Sequence, residues 1–368
     1  MKEYYKKFES CKICVGSNRS IIIDFDRGLY FYIPNNFVEI LNKKFIDFDK
    51  IKKKFKNQDA ILVEYFNFLI NNEIIFKLLN KEDYKKFPPI SEDYLISSLV
   101  SILIIDGDFF LNNELIDLIK TLNSKVLCII FNNQVSNKIK KIISIKTEKI
   151  IRKTSINEIV LIFKNSDKKN WITSKVDEIL LNNIDKILIY NCNIQSEMTS
   201  EKLNQYKYQF EDRKINLQNL NLQFYNESKK YNPYFNGKMY INTDGAIQNT
   251  PENTQSFGKL KSTCISSDLN KIISSVDFQK YSLINKDKIN VCNICEYRYM
   301  CLDNRIPKIT IQNQWYYNSE CNYNPFISKW KDEDGYKTLA ECGVISNENG
   351  FSIDHDKIAE INKVLWGE

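Results

Sequence analysis

Cys292, Cys295 and Cys301 form a CxxCxxxxxC run, and Cys321 follows. A CxxC turn sets two thiolates on adjacent backbone positions facing one site, and two more from a following loop complete a four-sulfur shell. Sulfur donors alone suit tetrahedral zinc and an iron–sulfur cluster equally, because both are soft-ligand sites of the same ligand count. Isolated cysteines are usually small core hydrophobes. Three of them within ten residues, flanked by Asn293, Glu296, Arg298 and Asp303, are poor core filler and read as ligands.

The other cysteines read differently. Cys128 and Cys192 lie on or beside apolar strands, and Cys264 and Cys342 stand alone, so all four read as core. Cys11 and Cys14 form a second CxxC without a nearby third ligand or the strand-to-helix setting of a thioredoxin motif. That pair reads as structural, with a redox pair or half of a metal site as the alternatives.

Scarcity excludes much else. His355 is the one histidine, which leaves no Ser-His-Asp triad, multi-histidine site or HExxH helix. Neither GxGxxG nor GxxxxGK[ST] occurs, so no Gly-rich loop cradles a nucleotide in the familiar ways. Lys plus Arg at 52 against Asp plus Glu at 46 gives +6, too small a bias to argue a nucleic-acid or membrane surface by itself. No apolar run of about 18 residues and no signal peptide is visible, which points to a cytoplasmic protein whose ten cysteines serve metal or redox use rather than disulfides.

These residues need elements to position them. Runs 20–26 and 29–33 predict a β-hairpin around Arg27-Gly28, followed by helices over 37–44, 49–56 and 60–71 and a strand at 74–78. Two strands, three helices and a closing strand resemble a winged-helix unit, and 81–89, ending in Pro88-Pro89, makes a linker. Strands are then predicted at 99–105, 126–131, 159–163, 187–190 and 217–224, with helices over 114–122 and 174–181. That alternation predicts a parallel α/β unit with too few strands for an eight-stranded barrel, hence an open or partial one. Segments 238–242 and 246–249 flank an Asp-Gly hairpin signal.

At CNICEYRYMCLDNR, Cys321-Asn-Tyr-Asn-Pro-Phe and Trp330, the chain resembles the C-terminal SPASM domain of the grasp-with-spasm peptide maturases, partners of ATP-grasp ligases in the modification of ribosomally made peptides. Asn18-Arg19-Ser20, Arg27-Gly28, Ile33-Pro34-Asn35 and Asn72-Glu73-x-Ile75-Phe76 resemble that family's N-terminal region. The resemblance implies that Cys292, Cys295, Cys301 and Cys321 hold one auxiliary cluster, 4Fe–4S with zinc as the alternative. It also implies that a second cluster is absent, since Thr250, Asn236 or its neighbours, and Asn304 stand where cysteines are expected. No CxxxCxxC occurs, so no site for cleaving S-adenosylmethionine is expected.

The implied organisation is α/β: a winged-helix-like precursor-peptide recognition domain (1–87), a degenerate radical-SAM-like partial barrel (88–230), a SPASM domain with one four-cysteine site (231–345) and a helical tail (346–368). The implied role is a maturation protein that binds a ribosomal precursor peptide, works with a separate ATP-grasp ligase, touches no membrane, and is accessory rather than directly catalytic. The competing readings are a winged-helix nucleic-acid-binding or regulatory protein with a structural zinc module, and an enzyme using Fe–S redox chemistry or the Cys11–Cys14 pair. Lys50, Lys52, Lys53, Lys54 and Lys56 are the basic cluster DNA binding would use, although in a lysine-rich chain they read as a solvated face. Asp106-Gly107-Asp108, at the end of the first α/β strand, reads as a turn rather than a catalytic pair.

Overall fold

Paired tyrosines and lysines open the chain as strand β1 (Tyr4–Lys7), and β-rich runs then give β2 (Cys11–Val15), β3 (Ser20–Asp24) and β4 (Leu29–Ile33). In the computed structural model, which describes residues 2–55, 58–95, 98–132, 135–163, 186–189, 220–260 and 266–367, β2–β3–β4 form an antiparallel sheet. Cys11 pairs with Asp24 and Ser20 with Ile33. Gly28, at φ 65°, takes the left-handed position of the β3–β4 turn that a Cβ would penalise. Buried Asp24 closes that turn by accepting from the Asp26 amide at 3.0 Å and the Arg27 guanidinium at 2.7 Å. Ile21, Ile22 and Ile23 are fully buried, so the central strand is covered on both faces.

Helix α1 (Asn35–Leu41), strand β5 (Ile46–Asp47), helices α2 (Phe48–Lys54) and α3 (Asp59–Asn71), and strand β6 (Ile75–Leu78) follow. β1 lies between β5 and β6, antiparallel to both. Leu62, Phe66 and Leu69 recur at helical spacing on α3 and meet Phe37, Ile40, Phe48 and Ile51 in one core. The Asp47 carboxylate caps α2 by accepting from the Lys50 amide at 3.0 Å, a contact that contributes about 1 kcal/mol. Lys50, Lys53 and Lys54 of α2 are exposed, while Lys52 lies 4.6 Å from the Phe48 ring centre. The α2 lysines thus form a solvated face; Lys56 lies outside the described residues, as do Cys192, Cys264 and the helix expected over 174–181.

The next stretch alternates as expected: β7 (Ile102–Asp106), α4 (Gly107–Asn112), α5 (Ile116–Leu122), β8 (Val126–Phe131), α6 (Asn137–Lys153), β9 (Glu158–Phe163) and β10 (Lys186–Ile189). Residues 222–230 form helix α7 (Leu222–Lys230) instead of ending the strand expected over 217–224. The apolar alternation at Leu220, Leu222 and Phe224 imitates a strand, but Asn221 accepts from the Phe224 amide at 2.7 Å and starts a helix there. β11 (Lys238–Ile241) and β12 (Ile247–Gln248) form the expected hairpin, with Gly245 at φ 79° and Asn242 Oδ1 accepting from the Asp244 and Ala246 amides. Helices α8 (Ser266–Ile273) and α9 (Val276–Gln279) follow.

Strands run β10–β9–β8–β7–β11–β12, parallel except for β12 at one edge. Among the described residues this is an open sheet and not a barrel. Alternate residues Leu103, Ile105, Leu127, Ile129, Ile159, Leu161, Met239 and Ile241 face one buried core, which α5, α6 and α8 complete with Ile119, Ile143, Ile150 and Leu269. The architecture is therefore mixed α/β with several small sheets.

By compactness the chain divides into two units: Met1–Tyr94 with Lys214–Tyr231 and Ile284–Glu368, and Leu95–Arg213 with Asn232–Leu283. The last stretch of the first unit is rich in turns and two-residue ladders. It ends in the hairpin Val344–Asn347 and Gly350–Ile353 and helix α10 (His355–Trp366), capped by Asp354 and closed by Gly367 at φ 73°. No helix among the described residues is long and apolar enough to cross a membrane.

Candidate metal centre

The cysteine loop begins with a single tight turn over Cys292–Ile294, whose Cys292 carbonyl accepts from the Cys295 amide at 3.0 Å. Val291 enters it at φ 69°, an outlying conformation for a β-branched residue and a site of local backbone strain. Further turns place Arg298 back on the Cys295 carbonyl and Met300 on that of Tyr297. All four cysteines lie in the first unit, half-buried and unpaired as disulfides. Cys295 and Cys321 pack against the Tyr297–Met300–Tyr323 cluster, and Cys292 against Ile284, Ile289 and Tyr317.

The thiols act on one another electrostatically: Cys292 feels Cys321, Cys295 feels Cys292 and Cys301, and Cys301 feels Cys292 and Cys321. Burial pushes Cys292 and Cys295 upward and Cys301 up to about 12. The Lys286 ammonium opposes that rise at Cys292 and Cys301, and Arg305 opposes it at Cys292. No three Cys, His, Asp or Glu side chains among the described residues are gathered as a single-ion site.

Two cations the sequence reading did not single out stand beside the thiols. Lys286, only 1% exposed, contacts Asp303 Oδ2 at 3.0 Å and donates to the Tyr317 hydroxyl at 2.8 Å. Arg305 Nε donates to Asp303 at 2.9 Å, and its guanidinium lies 4.1 Å from the Tyr317 ring centre. One buried carboxylate between two cations leaves a net positive charge against the sulfurs. Four thiolates around a metal or cluster carry net negative charge, so the donor set fits such a group. The only signal in the sequence was the pair of charges, Asp303 and Arg305, so close to Cys301.

The N-terminal sheet is strapped to this loop within the same unit. Ser17 N donates to the Ile294 carbonyl at 2.8 Å, Arg298 to the Val15 carbonyl at 2.6 Å, and the Cys14 thiol approaches the Cys295 carbonyl at 3.9 Å. Arg19 reaches Glu296 at 3.0 Å while its guanidinium lies 3.6 Å from the Tyr32 ring centre. Tyr323 donates to the same carboxylate, whose pKa burial holds above the usual range. Cys11 and Cys14, three apart on a strand, point into opposite cores. They therefore form neither a dithiol nor half of a metal site, and burial pushes both to about 12.

Elsewhere, Asp106 caps α4 from the C-terminal end of β7, accepting from Asp108 N at 2.9 Å and Asn132 Nδ2 at 3.1 Å, which makes it a turn residue. Asn236 and Thr250 are buried in the second unit, where the Thr250 hydroxyl has no hydrogen-bond partner among the described residues; Asn304 lies in the cysteine loop region of the first. His355 is an exposed first residue of α10.

No protein-family model matches the chain, and no curated protein matches it. Among solved structures, the chain has similarity to E. coli MccB, at 12% identity over 80% of this chain and 83% of that one, TM-score 0.17. Streptococcus suis SuiB matches at 12% identity over 80% of this chain and 94% of that one, TM-score 0.25. A complex of E. coli MccB with MccA-N7isoASN matches at 14% identity over 77% and 90%, TM-score 0.16. TM-scores of this size support no conclusion about fold or function, which rest on the chain's own residues.

Proposed function

We propose that this chain is a maturation protein for a ribosomally made peptide, holding one iron–sulfur cluster on Cys292, Cys295, Cys301 and Cys321 and binding the precursor through its N-terminal unit. The observation that carries the metal reading is four half-buried cysteines in the first unit, none in a disulfide, beside the Lys286–Asp303–Arg305 group, in which Lys286 is buried and Arg305 half-buried. A zinc ion would draw its sulfurs about one centre at roughly 2.3 Å each. A four-iron cluster gives each thiolate its own iron and spaces the sulfurs wider.

Four protein thiolates leave no open coordination position, so the group is structural and the chain is accessory to a separate ATP-grasp ligase. When bound, it supplies a rigid crosslink, with redox chemistry only of the outer-sphere kind. The chain's own residues do the rest: Lys286 and Arg305 balance the thiolate charge, and Arg298 and Glu296 hold the loop to the N-terminal sheet. In this reading the N-terminal unit and α/β sheet are derived from the winged-helix and radical-SAM-like domains of the resembled family.

Metal analysis with an absorption spectrum on protein purified without oxygen tests this. Iron with matching sulfide, lost in Cys295→Ser and Cys301→Ser, is the expected result. One zinc without a visible band would favour the structural-module reading, and salt-dependent DNA binding would then move the function to nucleic acid.

A further inference from the structure

A cleft of about 660 Å³ opens in the first unit, within the size range of ligand clefts. Its wall carries Lys6, Lys7 and Lys12 from the first two strands, Lys43 and Lys44 from the turn after α1, Lys85 from the linker and Lys229 from α7. Against these seven lysines the lining holds only two carboxylates, Glu9 and Glu92, an imbalance of five charges. Its apolar floor includes Ile13, Leu41, Phe87 and Pro88.

Both carboxylates are already clamped. Glu9 pairs with Lys6 at 2.6 Å, and Glu92 bridges Lys12, at 3.0 Å, and Lys229. Glu92 belongs to 88–95, a stretch without helix or strand, so a carboxylate on irregular chain is what the cleft holds in its own molecule. Lys7 differs: its ammonium donates to the Cys11 and Phe8 carbonyls and forms no ion pair among the described residues. A smaller cavity of about 280 Å³ shares Lys6, Lys7 and Phe87 and continues the trough.

We infer that this cleft binds an acidic, extended peptide segment whose Asp or Glu side chains replace Glu92 between Lys12 and Lys229 and whose apolar side chains rest on Phe87 and Leu41. The concave, partly apolar lining favours a peptide over a nucleic acid, which takes cations along an open stripe with stacking aromatics. The choice of a peptide rests on the proposed maturation role, but the cleft itself is built from the first unit's charges and no cysteine lines it.

The test is fluorescence anisotropy of the full chain with a short labelled peptide of alternating Glu and Leu, its Gln counterpart, and a labelled single-stranded oligonucleotide. The Glu peptide should bind and weaken with salt, and the Gln peptide should not bind. Lys43→Glu with Lys44→Glu, both exposed and outside the cores, should weaken the Glu peptide about tenfold. Glu92→Gln, which removes the internal carboxylate, should tighten it about threefold. Unchanged affinity in the double variant, weaker binding in Glu92→Gln, or a preference for the oligonucleotide overturns the inference. A chain that carries iron yet binds no acidic peptide separates failure of the cleft from failure of the cluster.

Discussion

Asp303→Asn is the sharpest perturbation of the cysteine site, because it keeps the side chain's volume and removes one charge. The carboxylate sits between Lys286 and Arg305, with side-chain exposures of 1% and 10%. Removing one partner of a buried ion group leaves charge without compensation and costs about 3–5 kcal/mol. Arg305 retains some access to water and a ring to lie on, so the lower end applies, about 3 kcal/mol. At roughly 2–4 °C per kcal/mol for a unit of this size, the melting temperature should fall by about 6–12 °C. Circular dichroism melts of wild type and variant, each metal-loaded and metal-stripped, measure this. Thiolates held by a metal offer the two cations a second negative partner, so the drop should be smaller in the loaded protein. Equal melting temperatures in the stripped forms would refute the buried-charge argument, and equal drops in both forms would refute the link to the thiolates.

Iodoacetamide at pH 8 should leave Cys11 and Cys14 unlabelled until denaturant is added, because burial suppresses their thiolates; fast labelling of either by mass spectrometry would contradict the packing. Phe66→Ala, in the core shared by α1, α2 and α3, should cost about 3–5 kcal/mol in a urea titration. Gly107→Ala should cost about 1–3 kcal/mol, since its Cβ would enter the Phe131 ring; a neutral result would show that the ring moves freely.

The elements that the sequence made legible share one cause: local pattern and tertiary burial agree. The hairpin around Arg27-Gly28, α3 and the strands β7, β8 and β9 all have apolar spacing that matches the face they bury. At 217–224 the two disagree, for apolar alternation points to a strand while Asn221 caps a helix. Helix α6 is implied by the alternation of strands and helices but its bounds are not legible, although Ile139, Ile143, Thr147 and Ile150 mark its core-facing side; its many lysines mask that period. The four cysteines announced themselves by spacing. Lys286, which lies in sequence before them and reaches Asp303 only through the fold, carried no local signal.

The placement of β2 joins the two sites. Lys12 and Cys14 are two residues apart and so lie on one face of the strand, about 7 Å from each other along it. Lys12 lines the basic cleft and pairs with Glu92, while Cys14 meets the Cys295 carbonyl and Val15 is held by Arg298. Strand β2 is thus a wall of the cleft on one stretch and a seat for the cysteine loop on the next. If the loop is ordered by a cluster, loss of that cluster frees Arg298 and the Ile294 carbonyl that hold the end of β2, and the wall loosens. Stripping the metal should therefore weaken acidic-peptide binding even though no cysteine lines the cleft. Arg298→Ala should do the same in metal-loaded protein with its iron content unchanged. Full peptide affinity in both would show that the two sites are independent.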